Sequence, residues 1–480
     1  MILAPNRLQP LNGSSWMITI AFLFLFSSCG IFSGSSGYHI AEIAEEKPVS
    51  YHSVEDTIEL PDGIYSEADT IVFEIPEEKV HQADDILDVM HEKDLRFNTE
   101  YKEVYHIAIL LPLSFSDYLP DLMQLESHYS YRFLNFYSGL QLGLEELSKK
   151  DVSLEVHVLN TKLSDNDFTS IEAELKGLDL DVIIGPFDRE LLKEIEQFGK
   201  SQDILVISPW QSSTKIAKEN PGYIQLLPDV KRYYEAIVQY VDGHFSADRI
   251  FLVGRLSEKQ EMARLKYLQD LHKANPQSSS SETSYQQVYV NQASFVDGAN
   301  AFGQIFQNAT EEIAVIIPNW SYKDEQFVYS CLRKLNAEKG LTKVNVFGMP
   351  LMVNSELVDY NLFKNLNIHI AIEKHVDEED PAVLEFRQKY LNTYHAIATD
   401  DAIEGFDLIQ LVGESLKNYG TKFQYFIQGE QLTYLQTSYN LTPAVDEESV
   451  FFEEVDKVDY FENRHIEIRR FIHNRFEPAP

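Results

Sequence analysis

A chain of 480 residues with 44% hydrophobic content can bury one large core or two ordinary ones. A formal charge of −36 excludes the basic surface that nucleic acid demands and gives an anionic bilayer no electrostatic hold. Two cysteines, Cys29 and Cys331, exclude a disulfide framework and a cysteine-ligated zinc site.

The amino terminus reads as an address. Arg7 is the only basic residue ahead of an apolar stretch from Trp16 to Phe26. That stretch is too short to cross about 30 Å of hydrocarbon, which takes about 20 residues. It fits the apolar core of a signal peptide over residues 1–28. Ser27-Ser28-Cys29-Gly30 resembles the bacterial lipobox, although Phe26 stands where that motif prefers Leu and the basic region is thin. The resemblance implies lipidation of Cys29; an uncleaved anchor and a plain secretory signal are the alternatives. Several acyl chains anchor stably where one is marginal. Gly30 in place of an Asp retention signal, with no acidic run directly after the cysteine, implies an outer-membrane lipoprotein facing the periplasm.

Residues 29–103 predict a tether. Small residues (FSGSSG) come first, then acids interrupted by Pro48, Pro61 and Pro76. Few aliphatics and high net charge leave such a stretch mostly disordered and extended. The pieces DTIELP and DTIVFEIP repeat weakly and suit a small hairpin.

The body opens at His106. HIAILLPL, LEVHVLNT, DVIIGP, ILVISP and YIQLLP are short apolar runs, most closed by Gly or Pro, as parallel strands covered on both faces require. Helical segments alternate with them. YRFLNFYSGLQLGLEELSKK sets Phe133, Phe136, Tyr137, Leu140, Leu144 and Leu147 on one face. Gly139 and Gly143 lie on the neighbouring face, where they allow close approach to a sheet. After Pro228 the same grammar restarts and runs to IHIAIE at residues 368–373. PAVLEFRQKYLNTY and AIEGFDLIQLVGESLKNYG are then helices, and SVFFEEVD followed by HIEIRRFIHNRF alternates like an antiparallel hairpin. The βαβα order predicts an α/β fold with right-handed crossovers, repeated in two lobes. Ligands of such sheets sit beyond the carboxyl ends of the strands. Gly185-Pro186 and Ser208-Pro209 stand at those ends.

HIAILLPL, FYSGLQLGLEEL, DVIIGP, ILVISPWQSS, NPGYIQLLP, AVIIPNW, NVFGMP and AIEGFDLIQLVGESLKNYG occur in an order that resembles type I periplasmic binding proteins of the leucine/isoleucine/valine-binding branch. The same fold forms the carboxyl domain of lipoproteins that activate penicillin-binding proteins. The resemblance runs from about His106 to the carboxyl end. It implies two doubly wound parallel-sheet lobes joined by three crossing segments. Lobe I would take residues 104–230 and 375–440, and lobe II residues 231–374 and 441–480.

In amino-acid binders of this branch, small hydroxyl residues after the Ser-Pro strand hold the ligand carboxylate. The matching positions are Ser208, Trp210, Ser212, Ser213 and Thr214. Hydroxyls at a loop before a helix donate to an anion, helped by the helix dipole; capping that helix is their other reading. Trp210 and Trp320 follow strand ends in opposite lobes, where they would stack on a ligand or fill the cleft. Arg255 and Asn319 belong at the lobe II rim, and Asp117 and Glu373 are candidate partners for an ammonium. The loop 114–131 is long enough to lid the cleft or offer an external surface.

No G-x-S-x-G, H-E-x-x-H, phosphate loop or G-x-G-x-x-G is present. The fourteen histidines lack metal spacing along the chain, and SDNDFTSIE fails the EF-hand pattern at Ser170 and Lys176. Cys331 belongs inside a helix as an inert thiol. The expectation is a non-catalytic, lipid-anchored periplasmic protein, without cofactor or metal, that holds a small ligand such as an amino acid or cell-wall fragment for an ABC permease. The alternative is an envelope interaction protein with a degenerate cleft that regulates a peptidoglycan synthase.

Overall fold

The computed structural model describes residues 99–113, 129–161, 168–276, 283–296, 298–306, 312–445 and 458–480. The signal peptide, Cys29, the tether with its weak repeat up to residue 98, Asp117 with most of the 114–131 loop, and SVFFEEVD lie outside them. Among the described residues no helix is long and apolar enough to cross a membrane.

The first unit runs β1 (Tyr105–Leu111), α1 (Tyr129–Lys149), β2 (Leu154–Asn160), α2 (Phe168–Leu175), β3 (Val182–Ile184), α3 (Arg189–Gln202), β4 (Leu205–Ser208) and β5 (Tyr223–Gln225). The second runs α4 (Val230–His244), β6 (Ile250–Gly254), α5 (Lys259–Ala274), β7 (Gln286–Tyr289), α6 (Gly303–Phe306), β8 (Ile313–Ile317) and α7 (Glu325–Glu338). It continues through β9 (Val344–Gly348), α8 (Leu351–Asn354), α9 (Tyr360–Asn365) and β10 (His369–Ile372). Then come α10 (Pro381–Tyr394), α11 (Asp400–Tyr419), the pair β11 (Leu432–Thr433) and β12 (Ser438–Tyr439), and finally β13 (Leu441–Val445), β14 (Val458–Asn463), β15 (Glu467–Ile472) and β16 (Arg475–Pro478).

Two seven-stranded sheets result, ordered β13-β14-β5-β4-β3-β1-β2 and β16-β15-β10-β9-β8-β6-β7. The central strands are mostly apolar because each sheet is covered on both faces, whereas the edge strands β2, β7 and β16 are polar and more exposed. Ile107, Ile109 and Leu111 pack with Phe133 and Phe136 of α1 and Leu408 and Val412 of α11. Ala108 and Leu110 face the other way, onto Leu191, Leu192 and Ile195 of α3. Each such leucine contributes about 1.5–3 kcal/mol by leaving water. Asp188 caps α3 by accepting from the Leu191 N–H at 2.8 Å, worth about 1 kcal/mol. The second sheet repeats the arrangement, with Val253, Val315 and Val346 on one face and Leu252, Ile316 and Phe347 on the other. Cys331 is fully buried there, and burial pushes its thiol up well above the ordinary range.

The chain passes between the sheets three times, at 226–229, 373–380 and 464–466. The last crossing divides the carboxyl-terminal segment, which the sequence reading assigned whole to lobe II from residue 441. β14 pairs with β5 (Phe461 opposite Ile224) and carries β13 with it, so both extend the lobe I sheet. Only β15 and β16 join lobe II, with Arg470 opposite His369. Phe461 and Tyr460 are buried on opposite faces, so this strand lacks the one-sided alternation of an exposed hairpin. The terminal hairpin forms inside HIEIRRFIHNRF, turning at His473 and Asn474, whose φ of 53° and 64° match a two-residue type I′ loop.

A second correction concerns Gly139 and Gly143. They do not meet a sheet. A Cβ at Gly139 would run into the Ala402 carbonyl, one at Gly143 into Ile409, and one at Gly405 into the Phe136 carbonyl. The backbones of α1 and α11 therefore touch, and this seam sets where their first turns stand.

Candidate functional site

At the lobe I tips, β4 ends in Ser208 and the chain turns through Trp210. Trp210 is buried in an aromatic box, edge-on to Phe133 and Phe136 at 5.2 Å each and tilted against Phe187 at 6.1 Å. Gln211 donates to the Phe187 carbonyl at 2.7 Å and pins the two tip loops together. Residues 211–222 run as turns without a helix, so the helix dipole expected behind Ser212–Thr214 is missing. Ser213 instead accepts from Arg189 at 2.9 Å and from the Lys215 N–H at 3.2 Å. Ser212 is half-buried and Thr214 exposed.

Beside the box stand four charged groups that the sequence reading missed as site residues. Arg132 in the first turn of α1 pairs with Asp401 at 2.9 Å and approaches Glu404 at 3.7 Å, both from the first turns of α11. Lys374, on the second crossing segment, pairs with Glu404 at 3.0 Å. Burial alone would raise the Glu404 carboxyl, but the Lys374 and Arg132 charges beside it hold it below the usual range. Burial outweighs Arg132 at Asp401 and raises that carboxyl. Position signals only Arg132 beforehand, in the first turn of a helix that follows a strand tip; Asp401 and Glu404 sit on a helix that follows another helix, and Lys374 on a crossing segment.

A row of polar side chains crosses the same end of the sheet. Ser208, Gln225 and Glu462 are direct neighbours on β4, β5 and β14 and are fully or almost fully buried. Among the described residues, Ser208 Oγ, both amide atoms of Gln225 and Glu462 Oε2 have no hydrogen-bond partner. Tyr223, two residues before Gln225 on the same face, adds a hydroxyl that lies beside Ser208 without bonding to it. Buried polar atoms of this kind take a partner from ordered water or a ligand.

Lobe II is arranged otherwise. Arg255 follows β6 and Asn319 follows β8, as the sequence reading placed them. Both are engaged by the lobe's own carboxylates. Glu261, from the first turn of α5, accepts from Arg255 Nε at 2.8 Å, from the Arg255 N–H at 2.6 Å and from Asn319 Nδ2 at 2.7 Å. Asp324 accepts from Asn319 at 3.0 Å and also from Arg255 Nη2. The guanidinium lies 4.3 Å over the Phe327 ring. Asn319 Oδ1 is the atom of this group left buried without a partner among the described residues. Trp320 is half-buried and packs against the cluster formed by Tyr233, Tyr234 and Ile237 of α4.

The crossing segments carry a polar knot. Arg232 and Arg464 both donate to Glu462 Oε1 at 2.9 Å. Asn463 Nδ2 donates to the Leu226 carbonyl at 3.2 Å. Glu373, a candidate ammonium partner, accepts from the Tyr233 hydroxyl at 2.8 Å. An open depression of about 600 Å³ lies against α5 and β7, lined by Met262, Lys266, Tyr285 and Gln287 among others. None of the expected ligand residues lines it.

No family model matches the sequence, and no curated protein does. Solved structures do match. A candidate branched-chain amino acid ABC transporter protein from Rhodospirillum rubrum superposes with a TM-score of 0.56 at 12% identity, covering 78% of this chain and 100% of that one. An ABC transporter substrate-binding protein from Desulfitobacterium hafniense, solved with Leu, gives 0.46 at 11% identity over the same shares. The carboxyl-terminal domain of LpoA from Haemophilus influenzae, a regulator of PBP1A, gives 0.48 at 12% identity, again over 78% and 100%. The chain has the type I periplasmic-binding-protein fold, as its own sheet order and the first of these likenesses show.

Proposed function

We propose that this chain is a non-catalytic ligand-binding module of the periplasm that holds a small polar molecule, an amino acid or a cell-wall fragment, at its strand tips. The row of Ser208, Gln225 and Glu462 carries the reading, because the fold leaves its buried donors and acceptors without partners. A neutral amide and a hydroxyl suit hydroxyl, amide or carboxylate groups of a ligand. Arg255 already serves two carboxylates, so a ligand anion gains little in lobe II unless it displaces Glu261 or Asp324. Ser212, Ser213 and Thr214 remain secondary contacts in this reading, with Trp210 as a wall and Trp320 and Asn319 at the opposite rim.

Cys29 is the lipid attachment point in this proposal, with residues up to 103 spacing the body from the outer membrane. Labelling cells with a radioactive fatty acid tests it: Cys29→Ala should lose the label, and equal labelling rejects the anchor. An ABC permease is the fitting partner. Thermal shift of the purified chain against amino acids, muropeptides and sugars tests ligand binding. A ligand at 100 times its Kd adds about 2.7 kcal/mol of stability. No response from any class rejects the binding reading.

A second reading has its own support. The closed Arg255–Glu261–Asp324 group is what a degenerate cleft would contain, and it favours an envelope interaction protein that engages a peptidoglycan synthase. Co-purification of a synthase, together with a cleft that answers no ligand, is the outcome this reading expects.

A further inference from the structure

The histidines show no metal spacing along the sequence, yet sheet pairing brings two of them together. β1 and β2 pair in parallel, with His106 opposite Glu155 and Ala108 opposite His157. Glu155 and His157, two apart on a strand, share a face. The Glu155 carboxylate stands between the rings, 3.7 Å from His106 Nδ1 and 3.4 Å from His157 Nε2. The rings are within 10° of parallel with centroids 6.3 Å apart. All three donor atoms fall within 4.8 Å of one another.

We propose that His106, Glu155 and His157 form a three-donor site for a borderline divalent cation of the Zn²⁺ type, with a further position open to water or to a donor from another molecule. Zinc–ligand distances of about 2.0–2.2 Å put tetrahedral ligands roughly 3.3–3.5 Å apart. The two short contacts use different oxygens, Oε2 toward His106 and Oε1 toward His157, so the set closes on one ion by rotation of the half-buried His106 and His157 and the exposed Glu155, on β1 and the edge strand β2. Two imidazoles with one carboxylate select zinc, copper or nickel over calcium and magnesium, which prefer all-oxygen sets. The site lies in the amino-terminal halves of its strands, opposite the tips, so it acts independently of the ligand reading. A bound ion would tie the edge strand to β1. Without an ion the same groups make only a His–Glu–His contact triplet.

Competition between the full chain and a chromophoric zinc chelator tests the proposal. One saturable equivalent of Zn²⁺ is expected to depend on these residues. Glu155→Gln, and separately the double variant His106→Ala with His157→Ala, should weaken it by more than the roughly 10–100-fold carried by outer-shell partners. His473→Ala, on an exposed ring elsewhere, should leave it intact. Zn²⁺ should also raise the melting temperature of the wild type but not of the double variant, whose fold circular dichroism verifies. Equal Zn²⁺ affinity in wild type and double variant, or no saturable equivalent at all, overturns the site.

Discussion

The two sets of strand tips are built on the same plan and finished differently. In lobe I a buried row ends with donors and acceptors that nothing among the described residues satisfies. In lobe II the equivalent position is closed by Glu261 and Asp324, which saturate Arg255 and most of Asn319. One side has spare hydrogen-bonding capacity; the other has spent it internally. In the proposed reading, binding specificity therefore belongs to lobe I, with lobe II as a rim.

The comparison breaks most completely at the helix seam that supports lobe I. Gly139→Ala drives a methyl group into the Ala402 backbone. A loss of about 3 kcal/mol or more is expected in urea unfolding, at or above the top of the usual overpacking range. An unchanged midpoint would mean that α1 and α11 are not in backbone contact. Next comes Glu261→Ala, which strands Arg255 and Asn319 in lobe II and should cost about 2–3 kcal/mol, less than a fully buried pair because Arg255 is partly exposed. The same variant should give lobe II a new response to carboxylate ligands.

A comparable effect follows from two buried acids. Burial pushes the Asp407 carboxyl up to about 7, against backbone N–H groups of Gln436 and Leu435 that lower it. Asp229 is pushed up to about 6 by burial in the same way. Both folded values exceed the unfolded one of about 3.9, so the native state keeps protons that the unfolded chain has lost. Their contribution is full below about pH 4 and is lost as pH rises to about 7. Relative to wild type, Asp407→Asn should be better tolerated at pH 8 than at pH 5, by about 2.5 kcal/mol. Smallest is Gln225→Leu, which replaces an unpartnered amide by an apolar group and should be within about 1 kcal/mol of neutral without ligand.

Much of the fold was legible because buried parallel strands write themselves as apolar runs closed by Gly or Pro. HIAILLPL, DVIIGP and ILVISP became β1, β3 and β4. The split of the carboxyl terminus was hidden, since which sheet receives β14 depends on the partner strand and not on VDYFEN itself. Gly139 and Gly143 announced a close approach without naming the partner, because Gly405 and Gly413 lie far along the chain. The site was less legible. Strand-end positions picked out Ser208, Arg255 and Asn319, but Gln225, Glu261 and Glu462 gain meaning only from register and first-turn geometry. His106 and His157 likewise meet through strand pairing, which no linear spacing encodes.

The most direct test is calorimetric titration of the ligand giving the largest thermal shift into wild type and into the double variant Ser208→Ala with Gln225→Leu. At least a tenfold loss of affinity, about 1.4 kcal/mol, is expected in the variant with its fold intact. Equal affinity in the two proteins would contradict the assignment of binding to the lobe I tips.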